Sequence, residues 1–300
     1  MSRLALVCAL LFAIGARAAP TLLPGEEHGV FVGEQWRYRR ASLFPDLIVR
    51  TLADLVAIPS GVPWWGAPEW LAFGGVVGST VALSAGQPSL DVQFQGFVQN
   101  QLLGVDHPRI WNTVGDVVIW SSVGTAVLVT FLYGLIAGDE VATETSVLMF
   151  EAFAVAQLYH NMIKLLVGRA GPQTPELEGA YFGPEGGVKL WPAGTPSGHM
   201  ASIYALLSVV MHTFDHPALW VGLNLFALVF GAALVGDQYH WVSDVLLGAG
   251  LGFSVGRWVV HHRSSRFAFE GSAGKEEVKL SLAPIVLPGA GGGLAVVGSF

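Results

Sequence analysis

The stretch Trp191-Pro-Ala-Gly-Thr-Pro-Ser-Gly-His199 leads directly into the apolar run Met200–Met211, and the prediction of the fold starts from it. Ser197 stands where a helix N-cap is expected, because its hydroxyl can accept from the backbone N–H groups of the first turn. Those N–H groups and the helix dipole form a small anion-binding cradle with His199 at its edge. Taken alone, the motif is equally consistent with an ordinary helix start on which His199 packs.

A second histidine, His240, is followed one helical turn later by Asp244. Residues four apart share a helix face, so the carboxylate can hold one ring nitrogen of His240 and leave the other nitrogen exposed. This pair favours a chemical role for His199 over a packing role.

With Pro196-Ser-Gly-His199 and His240-Trp-Val-Ser-Asp244 in view, the chain resembles the type 2 phosphatidic-acid phosphatase superfamily over roughly residues 66–263. The three motifs of that superfamily are Lys-x6-Arg-Pro, Pro-Ser-Gly-His and Ser-Arg-x5-His-x3-Asp. The second motif is complete here, and the other two are present in part. Vanadium haloperoxidases share the motifs, but they normally keep the arginines and are soluble proteins.

The composition indicates a membrane protein. The chain has 300 residues, of which 52% are hydrophobic and 12% are charged, and its mean hydropathy is +0.55. Soluble domains average about 25% charged residues. The net charge of −7 is dispersed along the chain, and no basic patch indicates a nucleic-acid partner.

Residues 1–18 are predicted to be a secretory signal peptide. Arg3 precedes the apolar run Leu4–Ile14, and Ala16-Arg17-Ala18 forms a small-residue cleavage site. The single cysteine, Cys8, lies inside this segment. The mature chain is therefore predicted to contain neither a disulfide nor a thiolate metal site.

Two segments flank the predicted helical domain. Residues 19–65 are predicted to form an N-terminal interfacial segment, in which Phe44–Ile58 is a helix that lies on the membrane surface or packs on the bundle. Residues 264–300 are predicted to form a tail with a short β-hairpin, made by strands at Glu277–Val286 and Gly292–Phe300.

Residues 66–263 are predicted to form an all-α, six-helix membrane bundle, because most of its apolar segments approach the roughly 20 residues that cross a bilayer. Gln87–Asn112 is predicted to be a surface loop without a motif, and Gly168–Thr195 to be irregular. The six apolar segments are about Glu69–Ser84, Val114–Ala137, Val141–Val167, Gly198–Thr213, Ala218–Val235 and Trp241–Val260.

Ionisable residues at membrane depth are costly, so those in the apolar segments are the informative ones. Lys164 falls near the end of the third segment, with His160 one turn before it on the same face. His199 opens the fourth segment, and His240 with Asp244 opens the sixth. In an antiparallel bundle these ends meet at one membrane face, which predicts a single site.

The resemblance implies a role for each of these residues. His240 would attack phosphorus and form a phosphohistidine, with Asp244 orienting it and stabilising its positive charge. His199 would protonate the leaving group and later activate water. No metal or other cofactor is implied. The phosphoryl oxygens would be bound by Lys164, the Ser197 hydroxyl and the Gly198 N–H.

Both phosphate-clamping arginines of the family are missing. Gly171 stands at the arginine position of the first motif, and Ala233-Leu234 replaces Ser-Arg in the third. Charge-assisted hydrogen bonds contribute about 1.5–3 kcal/mol each, so the loss is large. Arg169 lies two residues before Gly171, and we expect it to supply part of the missing phosphate charge.

The sequence therefore predicts a membrane phosphatase that hydrolyses a lipid phosphate or pyrophosphate. Phosphatidate, undecaprenyl pyrophosphate, phosphatidylglycerol phosphate and lipid A all fit such a site. The alternative is a catalytically degenerate envelope protein of the same fold, which binds a lipid headgroup or is structural, because both arginines are replaced.

Two indications of the orientation disagree. Arginines cluster on the face opposite the motifs, which predicts an extracytoplasmic site in a bacterial-type cell envelope membrane. A cleaved signal followed by six crossings would instead place the site in the cytoplasm. A further crossing at Phe44–Val62, an uncleaved signal or a segment that does not span would remove the conflict. The clustered arginines are Arg37, Arg39, Arg40, Arg257, Arg263 and Arg266.

Overall fold

The computed structural model describes residues 43–103, 111–190, 194–264, 279–287 and 291–299. The predicted signal peptide and residues 19–42 of the predicted interfacial segment lie outside these ranges, and so do residues 191–193 of the opening motif.

Within the described ranges the chain forms nine α-helices and two strands. The helices are α1 (Leu43–Ser60), α2 (Ala67–Ser84), α3 (Leu90–Phe97), α4 (Trp111–Ala137), α5 (Glu140–Val167), α6 (Pro184–Lys189), α7 (Gly198–Phe214), α8 (Pro217–Gly236) and α9 (Val242–Arg263). Short turns of 3-10 type cover Val62–Trp64 and Pro175–Leu177, and a π-type turn covers Val98–Leu103. Strands β1 (Lys279–Leu287) and β2 (Gly291–Ser299) pair antiparallel, with Lys279 opposite Ser299.

Three helices are long and apolar enough to cross a membrane. These candidate spans are Trp120–Ala137 in α4, Glu140–Val167 as the whole of α5, and Pro217–Gly236 as the whole of α8. The six predicted apolar segments fall on α2, α4, α5, α7, α8 and α9. The described core is therefore helical, as expected, whereas the number of six crossings stays a prediction.

The prediction of a surface loop at Gln87–Asn112 is wrong for the first part of that stretch. It contains α3, where Ser89 caps the helix by accepting from the Val92 N–H at 3.4 Å. Asp91 and Gln95 of this helix are buried, and the Gln95 amide donates to the Val235 carbonyl at 2.9 Å. Helix α3 thus packs against the C-terminal end of α8 instead of covering the surface.

The end of α5 is set by a glycine. Gly168 adopts φ +52° directly after the helix, a left-handed conformation that glycine reaches without steric cost. A Cβ on Gly168 would lie 1.9 Å from the Gly183 carbonyl oxygen, so only glycine fits where the loop before α6 passes. Helix α5 therefore ends at Val167, three residues after Lys164.

Helices α7 and α9 pack with their backbones in contact. Gly248, Gly252 and Gly256 recur every four residues on α9, and a Cβ on each would lie 2.3, 2.2 and 2.5 Å from a backbone carbonyl oxygen of the α7 segment. Small residues at this spacing allow close helix approach in membranes. The contact of Gly248 with Ser197 aligns the start of α9 with the start of α7.

A buried cluster of four charged side chains joins α1 to α5 and α9. Arg50 donates to Glu151 at 2.7 Å, and Arg263 donates to Asp54 while its Nε lies 3.7 Å from Glu151 Oε1. All four residues avoid solvent, since their side chains are at most 10% exposed. Because two arginines balance two carboxylates, the cluster fastens α1 to the bundle without an excess charge.

Helix α1 has a polar face turned inward and an apolar face turned outward. Arg50 and Asp54 are buried, whereas Ile48, Leu52 and Val56 are exposed. This polarity is the reverse of that of a helix on a water-soluble protein, and it is typical of a helix in contact with lipid.

Candidate active site

The start of α7 has the predicted N-cap. The Ser197 hydroxyl accepts from the Met200 N–H at 3.4 Å, and the Ser197 N–H donates to the Asp244 carbonyl at 2.9 Å. Ser197 is fully buried, and Gly198 and His199 form the first turn of the helix. The second of these bonds ties the α7 start directly to the α9 start.

The two motif histidines face each other at this end of the bundle. The ring centroids of His199 and His240 lie 5.8 Å apart, with an angle of 68° between the ring planes. Tyr239 packs edge-on against His199 at 5.0 Å, and Trp120 of α4 lies 6.2 Å from the same ring. Both histidines are buried, so their rings are largely shielded from water.

Asp244 lies beside the Nδ1 edge of the His240 ring. Its Oδ2 lies 3.6 Å from His240 Nδ1, which is an ion-pair distance. The same oxygen accepts from the Trp241 N–H at 3.1 Å, and Oδ1 accepts from the Thr195 hydroxyl. These donors hold the carboxylate in the ionised form and direct it at Nδ1, which leaves Nε2 of His240 to face the site.

Arg169 contacts Oδ1 of Asp244, the carboxylate oxygen that does not face His240. Its Nη1 donates to Asp244 at 3.1 Å and to the Ser243 hydroxyl at 2.7 Å, its Nη2 donates to Asp91 at 2.8 Å, and its Nε donates to the Gly179 carbonyl at 3.1 Å. The side chain is completely buried. The sequence predicts a phosphate contact for Arg169, but the structure gives its guanidinium four protein partners.

The charge of Arg169 is stabilised by its neighbours. Burial alone would lower the pKa of this guanidinium, but the nearby carboxylates of Asp244 and Asp91 raise it above its usual value. The rings of Tyr181 and Trp241 lie 5.1 and 5.4 Å from the guanidinium carbon and add cation–π contacts. Arg169 is therefore a permanent buried cation between two carboxylates.

Asp91 is a site residue that the sequence did not reveal. Its Oδ1 accepts from the Ser243 N–H at 3.1 Å, and its Oδ2 accepts from the Ser243 hydroxyl and from Arg169. It lies in the first turn of α3, within a stretch whose Gln, Asp and aromatic residues match no motif. The sequence signal available was the Ser89 cap, which predicts a helix but names no partner for Asp91.

Lys164 and His160 reach the site from the last turns of α5. Both residues are buried, with 5% and 6% of their surface exposed. The His160 ring packs against the backbone of Gly198, because a Cβ there would lie 2.7 Å from Cε1 and 2.9 Å from Nε2. The antiparallel arrangement thus brings together Lys164, the Pro-Ser-Gly-His segment and the start of α9, as the alternation of helix directions predicts.

Neither of the lost arginine positions supplies a cation. Leu234 is buried in an apolar cluster with Met200 and Ala227, and its carbonyl accepts from the Tyr239 N–H at 2.8 Å. Gly171 is buried in the loop after α5. Among the residues that the structure describes, no group of three or more His, Cys, Asp or Glu side chains is arranged to hold a metal ion.

Residues 145–268 match the family model of the PAP2 superfamily. The matched range runs from the first turns of α5 to just beyond α9, so it contains every site residue described above except Asp91 and Trp120. No curated protein and no solved structure matches the chain.

Proposed function

Because residues 145–268 belong to the PAP2 superfamily, the type 2 phosphatidic-acid phosphatases, we propose that the protein is a membrane phosphatase that hydrolyses a lipid phosphate or pyrophosphate. One observation carries the proposal: His199 and His240 face each other at 5.8 Å, with Asp244 beside His240. In this proposal His240 is the nucleophile and the neighbouring His199 is a separate acid.

In the first step, Nε2 of His240 attacks phosphorus and forms the N–P bond of a phosphohistidine. The bond from phosphorus to the leaving oxygen breaks, and protonated His199 gives its proton to that oxygen. Asp244 stabilises the positive charge that His240 gains, because its carboxylate lies 3.6 Å from Nδ1.

In the second step, neutral His199 takes a proton from a water molecule, and the water oxygen attacks phosphorus. The N–P bond breaks, inorganic phosphate leaves, and both histidines return to their starting state. A residue that acts first as an acid and then as a base has to lie beside the leaving-group position, and the proposal gives this position to His199 at the start of α7.

Three groups bind the phosphoryl oxygens in this proposal. Lys164 supplies positive charge, and the Gly198 N–H and Ser197 hydroxyl lie at the N-terminus of α7, where the helix dipole favours an anion. Their positions at the ends of two helices put these donors on a rigid frame, which lowers the cost of reorganisation during the reaction.

The membrane supplies the substrate. The outward faces of the candidate spans are apolar, with exposed Leu128, Val129 and Leu132 on α4 and exposed Val221 and Leu225 on α8. A lipid phosphate lying in the bilayer presents its headgroup at the level of the helix ends. We therefore assign a lipid rather than a water-soluble phosphate ester to the site.

The experiment compares His240→Ala with the wild-type chain in detergent micelles. Phosphate release is measured with phosphatidate, undecaprenyl pyrophosphate, phosphatidylglycerol phosphate and lipid A. Loss of the nucleophile is expected to reduce turnover about a thousandfold or more, whereas His212→Ala, at the other end of α7, is expected to keep the wild-type rate. Wild-type turnover by His240→Ala on the substrate that the enzyme prefers would falsify the mechanism.

A second candidate is a non-catalytic envelope protein that binds a lipid headgroup or is structural. The observation in its favour is that Leu234 is apolar and buried while Arg169 is bound by carboxylates. This candidate predicts that the wild-type chain releases no phosphate from any of the four lipids. It also predicts that Lys164→Ala weakens binding to vesicles that contain phosphatidate, if the headgroup is bound.

We also propose that the site faces the extracytoplasmic side of a bacterial-type envelope membrane. Arg263 ends α9, which begins beside the site and is 22 residues or about 30 Å long, and positive charge favours the cytoplasmic side. In a Cys8→Ser background, Glu185→Cys in α6 should react with an impermeant maleimide in intact cells. His216→Cys, between α7 and α8, should react after permeabilisation. The reverse pattern would show a cytoplasmic site.

A further inference from the structure

We propose that His160 is a phosphate-binding residue, which donates a hydrogen bond from its imidazole N–H to a phosphoryl oxygen of the substrate. The inference rests on the proposed function of the same site and names one more side chain that binds the substrate. It also explains how a site that has lost two arginines holds a phosphoryl group.

The position of His160 places its ring inside the site. It precedes Lys164 by four residues on α5, so both side chains lie on one face of the helix. Its ring atoms pack against Gly198, whose N–H belongs to the anion cradle of α7. The charged and titratable groups whose electrostatic influence reaches it include Lys164, His199 and His240.

The hydrogen-bonding state of His160 points to a ligand. The residue is 6% exposed. Neither Nδ1 nor Nε2 makes a hydrogen bond of acceptable geometry to the residues that the structure describes, and the Pro196 backbone interacts with the ring without meeting that geometry. Buried polar side chains are normally paired, because an unpaired one keeps its desolvation cost. A phosphoryl oxygen over Gly198 gives the ring a well-aligned acceptor, which the Pro196 backbone does not.

The identity of Gly198 agrees with this role. A Cβ at residue 198 would lie 2.7, 2.9 and 3.2 Å from three atoms of the His160 ring. Any larger residue would push the imidazole away from the helix start, even though its own backbone N–H remained available. Gly198 therefore serves the site twice, by its N–H and by the space that it leaves for His160.

The loss of two family arginines leaves phosphoryl oxygens that another donor can bind. Arg169 directs its guanidinium at Asp91 and Asp244, and Leu234 is apolar at the position of a family arginine. A neutral imidazole carries one N–H donor and a protonated one carries two. His160 thus complements Lys164 whichever protonation state the bound substrate selects.

The test measures substrate kinetics and inhibition by orthovanadate, which imitates the five-coordinate transition state of phosphoryl transfer. His160→Ala is expected to raise KM for the lipid phosphate and to weaken orthovanadate inhibition, each about tenfold, as the loss of one hydrogen bond to a charged group predicts. His160→Gln is expected to recover most of this loss, because its side-chain amide donates an N–H. His212→Ala is the matched histidine control.

A second variant tests the geometry. Gly198→Ala keeps the N–H but displaces the His160 ring, so it should weaken orthovanadate inhibition to a similar extent. The double variant should lose little more than either single variant, because both changes remove the same contact. Full additivity of the two losses would contradict the proposed contact.

The outcomes separate this inference from the proposed function. If His240→Ala is inactive while His160→Ala and His160→Gln keep wild-type KM and orthovanadate inhibition, His160 does not bind phosphate and the phosphatase mechanism stands. If His240→Ala keeps full turnover, the mechanism itself is wrong. Thermal melting of each variant shows whether it is folded. If His160→Ala is unfolded, KM and orthovanadate inhibition of His160→Gln and Gly198→Ala decide whether His160 binds phosphate.

Discussion

Arg169 donates to Asp244 through Nη1 at 3.1 Å, and both side chains are completely buried. Arg169 also donates to Asp91 at 2.8 Å, so one guanidinium joins two carboxylates that lie far apart in the sequence. The chain of contacts runs from Asp91 through Arg169 and Asp244 to Nδ1 of His240. The orientation of His240, the nucleophile of the proposed mechanism, therefore depends on residues beyond its direct partner Asp244.

Arg169→Ala is expected to destabilise the fold and to lower kcat. The change leaves two buried carboxylates without their shared cation, and breaking a buried ion pair costs about 3–5 kcal/mol. Thermal unfolding and separate values of kcat and KM in micelles measure the effects, with the exposed Arg257→Ala as the control. A phosphate-binding role for Arg169 would instead raise KM at unchanged stability, and that result would overturn the positioning role.

Asp91→Asn is expected to reduce stability by about 1–3 kcal/mol and to lower kcat with it. Both carboxylate oxygens of Asp91 accept, one from the Ser243 N–H and the other from the Ser243 hydroxyl and Arg169. An amide replaces one acceptor by a donor, so it leaves at least one of these groups unpaired. Asp215→Asn, at an exposed turn, is the control, and chemical denaturation is the measurement.

A double-mutant cycle makes the Asp91 prediction sharper. The two carboxylates share Arg169, so the combined loss in Asp91→Asn with Arg169→Ala should be clearly smaller than the sum of the single losses. Independent, additive losses would mean that the buried pair does not act as a unit.

Glu151→Ala is expected to lower the melting temperature without changing the chemistry of the folded site. Glu151 balances Arg50 and Arg263 in the charge cluster that fastens α1, and removing it leaves two buried guanidinium groups with Asp54 alone. The expected cost is about 3–5 kcal/mol. Glu140→Ala in the first turn of the same helix is the control, since Glu140 is exposed. Equal melting temperatures for the two variants would exclude this role.

The contacts that sequence could predict are local or follow from helix direction. The Ser197 cap and the His240–Asp244 pair need a spacing of three or four residues on one helix start, which can be read from the chain. The meeting of Lys164 with these groups follows from alternating helix directions. No knowledge of side-chain packing is needed for either step.

The contacts that sequence could not predict join distant residues through side-chain geometry. Asp91 and Arg169 are 78 positions apart, and no pattern near either residue specifies the other. Arg169 lies beside the motif region, so the sequence predicts a phosphate contact and gives no sign of a carboxylate partner. Which group Arg169 binds depends on where α3 packs. Helix α3 lies in a stretch whose composition predicts polar surface structure.

The last prediction concerns the lost arginine of the third motif. Leu234 is 1% exposed and packs with Met200 and Ala227, so Leu234→Arg forces a longer, charged side chain into an apolar cluster. Overpacking of this kind costs about 1–3 kcal/mol, and an unpaired buried charge adds to it. We expect a lower melting temperature and no gain in phosphate release, whereas Leu234→Met should be nearly neutral in both measurements. A rise in turnover for Leu234→Arg would mean that the guanidinium reaches the site between His199 and His240, and that the natural site is a weakened form of the family's phosphate clamp.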